Sequence, residues 1–107
     1  MEFDVVFKNN QYRISTPEFL FLAKGNQVKS KRLGMVVSKK ITAHAVNRNC
    51  LKRLIREVFR RLDLPYLDIV VLTRIRANNR SNTALISILE QSFDKLALQI
   101  PQKGTVQ

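Results

Sequence analysis

The stretch between Ala43 and Leu62 constrains the fold most, because its apolar residues recur at helical spacing and Pro65 follows shortly after it. On a helical wheel of about 100° per residue, one arc is apolar. Its members are Cys50, Leu51, Leu54, Ile55, Val58 and Leu62. Thr42 can serve as the N-cap, and a residue before proline disfavours helical geometry, so the helix should end at or before Leu64. The pattern therefore predicts a long helix with one face packed on a core.

The other side of this predicted helix is cationic. Neighbouring positions on the wheel are occupied by Arg48, Asn49, Lys52, Arg53, Arg56 and Arg60. Glu57 is the one acid between positions 43 and 62, so cations at i, i+4 repel each other by some tenths of a kcal/mol per pair. A face that is merely solvated usually mixes both signs of charge. We therefore predict that these six side chains, with Lys39 and Lys40 beside them, bind a polyanion.

Composition favours nucleic acid as that polyanion. The chain has 19 Lys and Arg against 8 Asp and Glu, a net charge of +11, and residues 24–61 hold 12 of these cations with one of the acids. An anionic membrane or an acidic protein would also attract such a charge, but small basic domains bind nucleic acid most often. The longest apolar run, Ile69 to Leu72, is too short to span a bilayer. We expect no membrane association and a cytoplasmic location.

The remaining patterns predict a single α+β domain over residues 1–107, with 101–107 frayed. They indicate a short helix near 2–10, a strand at 18–24, a second strand that starts at Leu33 and ends at Lys39-Lys40, and a buried strand at 66–73. Ser81 or Asn82 can cap a last helix that runs to about Ile100. This order of elements predicts a small mixed sheet packed with helices.

Three segments resemble the bacterial ribonuclease P protein. Residues 45–60 are similar to its signature helix, R-N-R-x-K-R-x-x-R-E-x-F-R, although Cys50 stands where the motif has its second arginine. Residues 32–40 resemble the strand R-x-G-x-x-V-S-K-K, and residues 68–74 resemble D-x-V-x-x-x-R. The segments occur in the family's order. The departure at Cys50 implies that one RNA contact is missing or is supplied by a neighbour such as Asn47.

The resemblance implies a function. Such a chain would be an accessory subunit of an endoribonuclease, binding the catalytic RNA of ribonuclease P and the 5′ leader of precursor tRNA during 5′ maturation. The RNA, with Mg²⁺, would perform the hydrolysis, so we expect no catalytic residues, no metal held by the protein and no obligatory protein partner. The resemblance also implies an α/β sandwich with a left-handed βαβ crossover, and a leader-binding cleft at positions matching Phe3, Phe7 and Phe21.

Several alternatives stay open at this stage. The three phenylalanines can equally be core residues, since Phe is among the most often buried types. Phe59 can pack at the edge of the core or stack on RNA, and Cys50 is expected to be an inert buried thiol. Glu57 should pair with a nearby arginine of its own helix. The alternative function is a non-enzymatic, structured-RNA-binding protein of the ribosomal-protein type.

Overall fold

A computed structural model of the protein describes residues 3–25, 31–37, 45–61, 67–74, 77 and 81–99, without the side chains at positions 3, 4, 45 and 46. In chain order the elements are α1 (Phe3–Asn9), β1 (Tyr12–Ser15), β2 (Phe19–Gly25), β3 (Arg32–Val36), α2 (Ala45–Arg61), β4 (Leu67–Thr73) and α3 (Asn82–Gln99). The predicted helices and strands are all present, and the α+β class is confirmed. Within the described ranges, none of the helices is long and apolar enough to cross a membrane.

The four strands form one mixed sheet in the order β1-β2-β4-β3. β1 pairs with β2 and β2 with β4 in antiparallel fashion, whereas β3 and β4 are parallel. β4 is almost continuously apolar, and such a strand is stable only when both of its faces are covered. It lies between β2 and β3, as predicted. β3, α2 and β4 form a βαβ unit, and the left hand of that crossover stays a prediction.

β1 is an element that the sequence analysis missed. Its four residues pair with β2 from Tyr12↔Ala23 to Ser15↔Leu20, which makes β1 an edge strand. Exposed and half-buried side chains alternate along it. The turn into β2 is closed by Thr16, whose hydroxyl oxygen accepts a hydrogen bond of 2.9 Å from the amide of Phe19. Arg74, just after β4, donates to the carbonyl oxygen of Thr16 at 2.8 Å.

The sheet separates two apolar layers, because successive side chains of a strand point to opposite faces. Phe19 and Phe21 belong to the larger layer, which contains the buried residues of α2 and α3. There the rings of Phe21 and Phe93 lie 5.2 Å apart edge to face, and those of Phe93 and Phe59 lie 6.0 Å apart. Leu22 lies in the smaller layer with Val6 of α1 and Val70 of β4. α2 and α1 are therefore on opposite sides of the sheet.

The start of α3 is consistent with its sequence. The hydroxyl oxygen of Ser81 accepts a hydrogen bond of 3.2 Å from the amide of Ala84, and the Ser81 carbonyl accepts the amide of Leu85 at 3.0 Å. Ser81 is thus the N-cap, one of the two residues predicted for that position. Residues 100–107, including the segment predicted to fray, lie outside the described residues.

Candidate nucleic-acid interface

α2 has the amphipathic division that its sequence predicts. Leu51, Ile55 and Val58 are at most 5 % exposed and pack in the larger core. On the other side Asn49, Arg53, Arg56 and Arg60 are exposed, while Arg48 and Lys52 are half-buried. The apolar stripe holds the helix on α3 and the sheet. That packing leaves the cationic side turned outward, so its charges do not have to be buried.

The charge of this face is only slightly compensated. Glu57 pairs with Arg60 of the same helix, with Oε2 and Nη2 2.7 Å apart, which confirms the predicted local pair. Both side chains are largely exposed, 71 % for Arg60 and 47 % for Glu57, so the pair contributes less than about 1 kcal/mol. In the part of the chain that the structure describes, Lys52 and Arg56 have no carboxylate within ion-pairing distance. The cationic face therefore keeps most of its positive potential.

The helix ends suit the same charge distribution. The first turn of α2 contains no acid, and the last turn contains Arg60 and Arg61. Cations near a helix C-terminus interact favourably with the negative end of the helix dipole. The two arginines are thus compatible with a stable helix, although they add to the repulsion among the cations of α2. Lys39 and Lys40, predicted to extend the surface, lie outside the described residues.

Cys50 lies at the seam between α2 and α3. Its thiol is 3.8 Å from the side-chain oxygen of Asn82, the first residue of α3, and the cysteine is half-buried. The expectation of a buried thiol was therefore wrong, because this part of α2 faces the exposed start of a helix and not the middle of the core. Asn47, the suggested substitute contact, is exposed one turn earlier in α2.

The basic residues that precede α2 are not all available to a polyanion. Arg32 and Asp68 form a bidentate pair across β3 and β4, with Nε–Oδ1 and Nη2–Oδ2 both 2.7 Å apart. The hydrogen bond to Asp68 raises the pKa of Arg32 above its ordinary value, against a smaller opposing effect of desolvation. Arg32 is thus committed to a structural pair. Among the described residues, no three His, Cys, Asp or Glu side chains lie close enough to hold a metal ion.

The structure separates the three phenylalanines predicted to line a cleft. Phe21 is completely buried against Phe19 and Phe93, so its assignment to a ligand-binding cleft was wrong: no ring surface is left on which a base could stack. Phe7 is 37 % exposed on α1. Phe3 begins α1, and its side chain is not among the described side chains.

The aromatic residue left undecided, Phe59, is part of the core. It is 8 % exposed and its ring meets Phe93 at 6.0 Å. Its carbonyl oxygen and its ring both contact the ammonium group of Lys31. Stacking of Phe59 on RNA would require this packing to open.

The residues that do face the α1 side of the sheet were missed. Leu20, Leu72 and Val36 are neighbours across β2, β4 and β3 and are each half-buried. We call these three residues the apolar strip; it packs against the buried cluster of Val6, Leu22 and Val70. The signal was present in the period-two alternation of β2, which puts Leu20 and Phe21 on opposite faces. The resemblance assigned Phe21 to the cleft, but Phe21 lies on the opposite face of the sheet.

Comparison with known proteins places these features in one family. The profile of the Ribonuclease P family matches residues 1–97. The ribonuclease P protein component of Legionella pneumophila (strain Corby) is 40 % identical over 96 residues, covering 90 % of this chain and 83 % of the relative. That of Acinetobacter baylyi is 40 % identical over 100 residues, covering 92 % and 76 %.

Solved structures give the same result. The RNase P protein from Thermotoga maritima superposes with a TM-score of 0.74 at 28 % identity, covering 94 % of this chain and 93 % of that one. The Staphylococcus aureus RNase P protein gives a TM-score of 0.74 at 28 % identity, covering 88 % and 84 %. The similarity thus extends over the sheet and all three helices.

Proposed function

Because the chain belongs to the ribonuclease P protein family, we propose that α2 is its RNA-binding helix and that the α1 side of the sheet receives the 5′ leader of precursor tRNA. Family membership makes the chain the accessory protein subunit of an endoribonuclease of tRNA processing, associated with ribonuclease P RNA. The proposal assigns the two kinds of RNA contact to the two sides of the sheet.

The first part of the proposal, RNA binding by α2, rests on the outward cationic face of that helix. Arg53 and Arg56 are exposed one turn or less apart, and within the described residues no carboxylate pairs with either. Arginine donates two parallel hydrogen bonds to one phosphate, so neighbouring arginines on a rigid helix can follow a phosphate backbone. Each phosphate neutralised releases counterions and adds roughly 0.7 to 0.9 to the slope of log affinity against log salt concentration. Several such contacts make binding strongly salt-dependent.

The leader half of the proposal rests on surface chemistry. Phe7 is exposed next to Val6, and the apolar strip packs against the cluster that contains Val6, so α1 and the sheet together present apolar surface. Unpaired bases stack on aromatic rings with about 1–3 kcal/mol per base and little dependence on sequence. A leader differs in sequence from one precursor to the next, so tolerant stacking suits it. Exposed Arg13 of β1 shares this side of the sheet with Leu22, where it can meet the leader's phosphates.

The proposed chemical contribution of the protein is electrostatic. Two polyanions, the catalytic RNA and its precursor substrate, repel each other, and cations held between or beside them reduce that repulsion. Mg²⁺ is expected to act in the RNA, where it supplies the charge stabilisation for phosphodiester hydrolysis. The side chains of α2 then bind and orient RNA. The same proposal includes a cytoplasmic location, where precursor tRNA would be encountered.

The test is the salt dependence of RNA affinity for an Arg53→Ala/Arg56→Ala double variant. We expect the slope for ribonuclease P RNA to flatten by roughly 1.4 to 1.8 units relative to the unmodified protein. Lys95→Ala is the matched control, because Lys95 is an exposed cation on a different helix, α3; its slope should not change. A double variant with the original slope would show that this face of α2 does not meet phosphates.

A further inference from the structure

Lys31 lies just before β3, and its ammonium group is directed at the C-terminal end of α2. Nζ donates a hydrogen bond to the carbonyl oxygen of Phe59 at 2.7 Å and a longer one to that of Arg60 at 3.4 Å. It also lies 4.7 Å from the centroid of the Phe59 ring. The last four carbonyls of a helix have no intrahelical donor and carry the negative end of its dipole. Lys31 therefore satisfies two of these acceptors and offsets part of their charge.

The same contact connects the end of α2 to the core. The Phe59 ring is buried and meets Phe93 at 6.0 Å, and Phe93 in turn meets Phe21 of β2 at 5.2 Å. One side of the last turn is thus packed on aromatic rings, while Lys31 covers its carbonyl end. The orientation of this turn depends on both contacts.

Arg32, the next residue and the first of β3, anchors the chain beside Lys31. Its guanidinium is held by both carboxylate oxygens of Asp68, its register partner on β4. Lys31 thus reaches the end of α2, while Arg32 reaches β4. Together they tie the end of α2 to the central strand.

We propose that Lys31 is a positioning residue for RNA binding: it holds the last turn of α2, and with it Arg60, in the orientation that the RNA recognises, without contacting a phosphate itself. This inference rests on the proposed role of α2. Composition alone suggests that Lys31 binds a phosphate, because it is one of the cations concentrated in residues 24–61. Its ammonium group, however, would have to leave two carbonyls and a ring to reach a phosphate.

The experiment uses three variants of the full chain. Lys31→Met keeps an unbranched stem but removes the charge, Lys31→Arg keeps a cation that can donate to carbonyls, and Lys95→Met removes an exposed cation from α3. Without RNA, we expect amide hydrogen exchange at 59–61 to be roughly two- to fivefold faster in Lys31→Met, the factor that corresponds to a dipole contact of about 0.3–1 kcal/mol. Lys31→Arg should restore slow exchange, and Lys95→Met should not alter it.

RNA affinity then separates positioning from stability and from phosphate binding. We expect Lys31→Met to bind ribonuclease P RNA roughly two- to fivefold more weakly at every salt concentration, with an unchanged slope and with affinity restored by Lys31→Arg. A loss of stability alone leaves the affinity of a protein that is still almost fully folded unchanged, so unchanged affinity would overturn the inference. A slope flatter by roughly 0.7 to 0.9 would also overturn it, because Lys31 would then be a phosphate ligand.

Failure of this inference is distinguishable from failure of the proposed function. If Lys31→Met has either contrary result while the Arg53→Ala/Arg56→Ala variant loses salt dependence, α2 remains the RNA-binding helix and only the role of Lys31 is wrong. If the double variant keeps its full slope, the role of α2 is wrong, whatever amide exchange shows for Lys31.

Discussion

Phe7 and Phe21 have the same side chain and were predicted to share one role, but the structure predicts opposite effects for the two alanine substitutions. Phe21 is completely buried, with edge-to-face contact to Phe93, whereas Phe7 is 37 % exposed on α1. Phe21→Ala should therefore act on folding, and Phe7→Ala should act on leader binding. The two variants are controls for each other, because the atoms removed are identical.

The expected magnitudes follow from burial. Removing a fully buried phenylalanine costs about 3–5 kcal/mol of unfolding free energy, since the ring contacts are lost and a cavity remains. Phe7 already exposes more than a third of its surface, so its removal should cost about 1–2 kcal/mol. If one leader base stacks on it, Phe7→Ala should weaken binding of a precursor with a 5′ leader by about 1–3 kcal/mol, or roughly 5- to 150-fold.

Two assays measure these effects separately. Urea denaturation of the free protein gives the unfolding free energies of both variants. Binding of the reconstituted complex is measured for precursor tRNA with its 5′ leader and for the same RNA without it. The ratio of the affinity with the leader to the affinity without it gives the contribution of the leader and cancels any change in assembly. Phe7→Ala should lower this ratio. An unchanged ratio would refute leader stacking on Phe7, and a Phe21→Ala protein as stable as the original would refute the assignment of Phe21 to the core.

Three further substitutions test individual charges and the seam. Glu57→Gln should strengthen RNA binding at low salt, because Arg60 loses its carboxylate partner; titrations at two salt concentrations measure this, and weaker binding would contradict it. Asp68→Asn should lower the urea midpoint more than Glu57→Gln does, because Asp68 is 13 % exposed and holds Arg32 by two 2.7 Å hydrogen bonds. Cys50→Arg should steepen the salt slope by at most about one unit, and no change would mean that an arginine at the α2–α3 seam cannot reach RNA.

The long elements were predictable because each carries its own pattern. α2 has both a sharp apolar stripe and a proline after it, and β4 has a continuous apolar run whose burial is independent of register. β1 was not recognised because four residues give little periodic signal. An edge strand is stabilised by its partner, and its position became definite only through its pairing with β2. Its alternation of half-buried and exposed residues was nevertheless visible in the order Tyr12, Arg13, Ile14, Ser15.

The candidate site was predictable where one helix supplies it. The outer position of Arg53 and Arg56 follows from angles within α2 and needs no knowledge of the rest of the fold. The cleft depends on how different elements meet, and the resemblance assigned to it Phe21, which lies in the other layer of the core. The contact of Lys31 with the end of α2 could not be predicted, because its partners are backbone carbonyls 28 and 29 residues later in the chain.

The alternation along β2 also bears on how this protein could be redesigned. Leu20 and its cross-strand neighbour Leu72 face α1, while Phe21 between Leu20 and Leu22 faces the other layer. A mutant library restricted to Leu20 and Leu72 would vary the presented surface and leave the aromatic packing intact. Selection for new ligands and selection for thermal tolerance could then be run on separate sets of codons, even though those codons are adjacent in the gene.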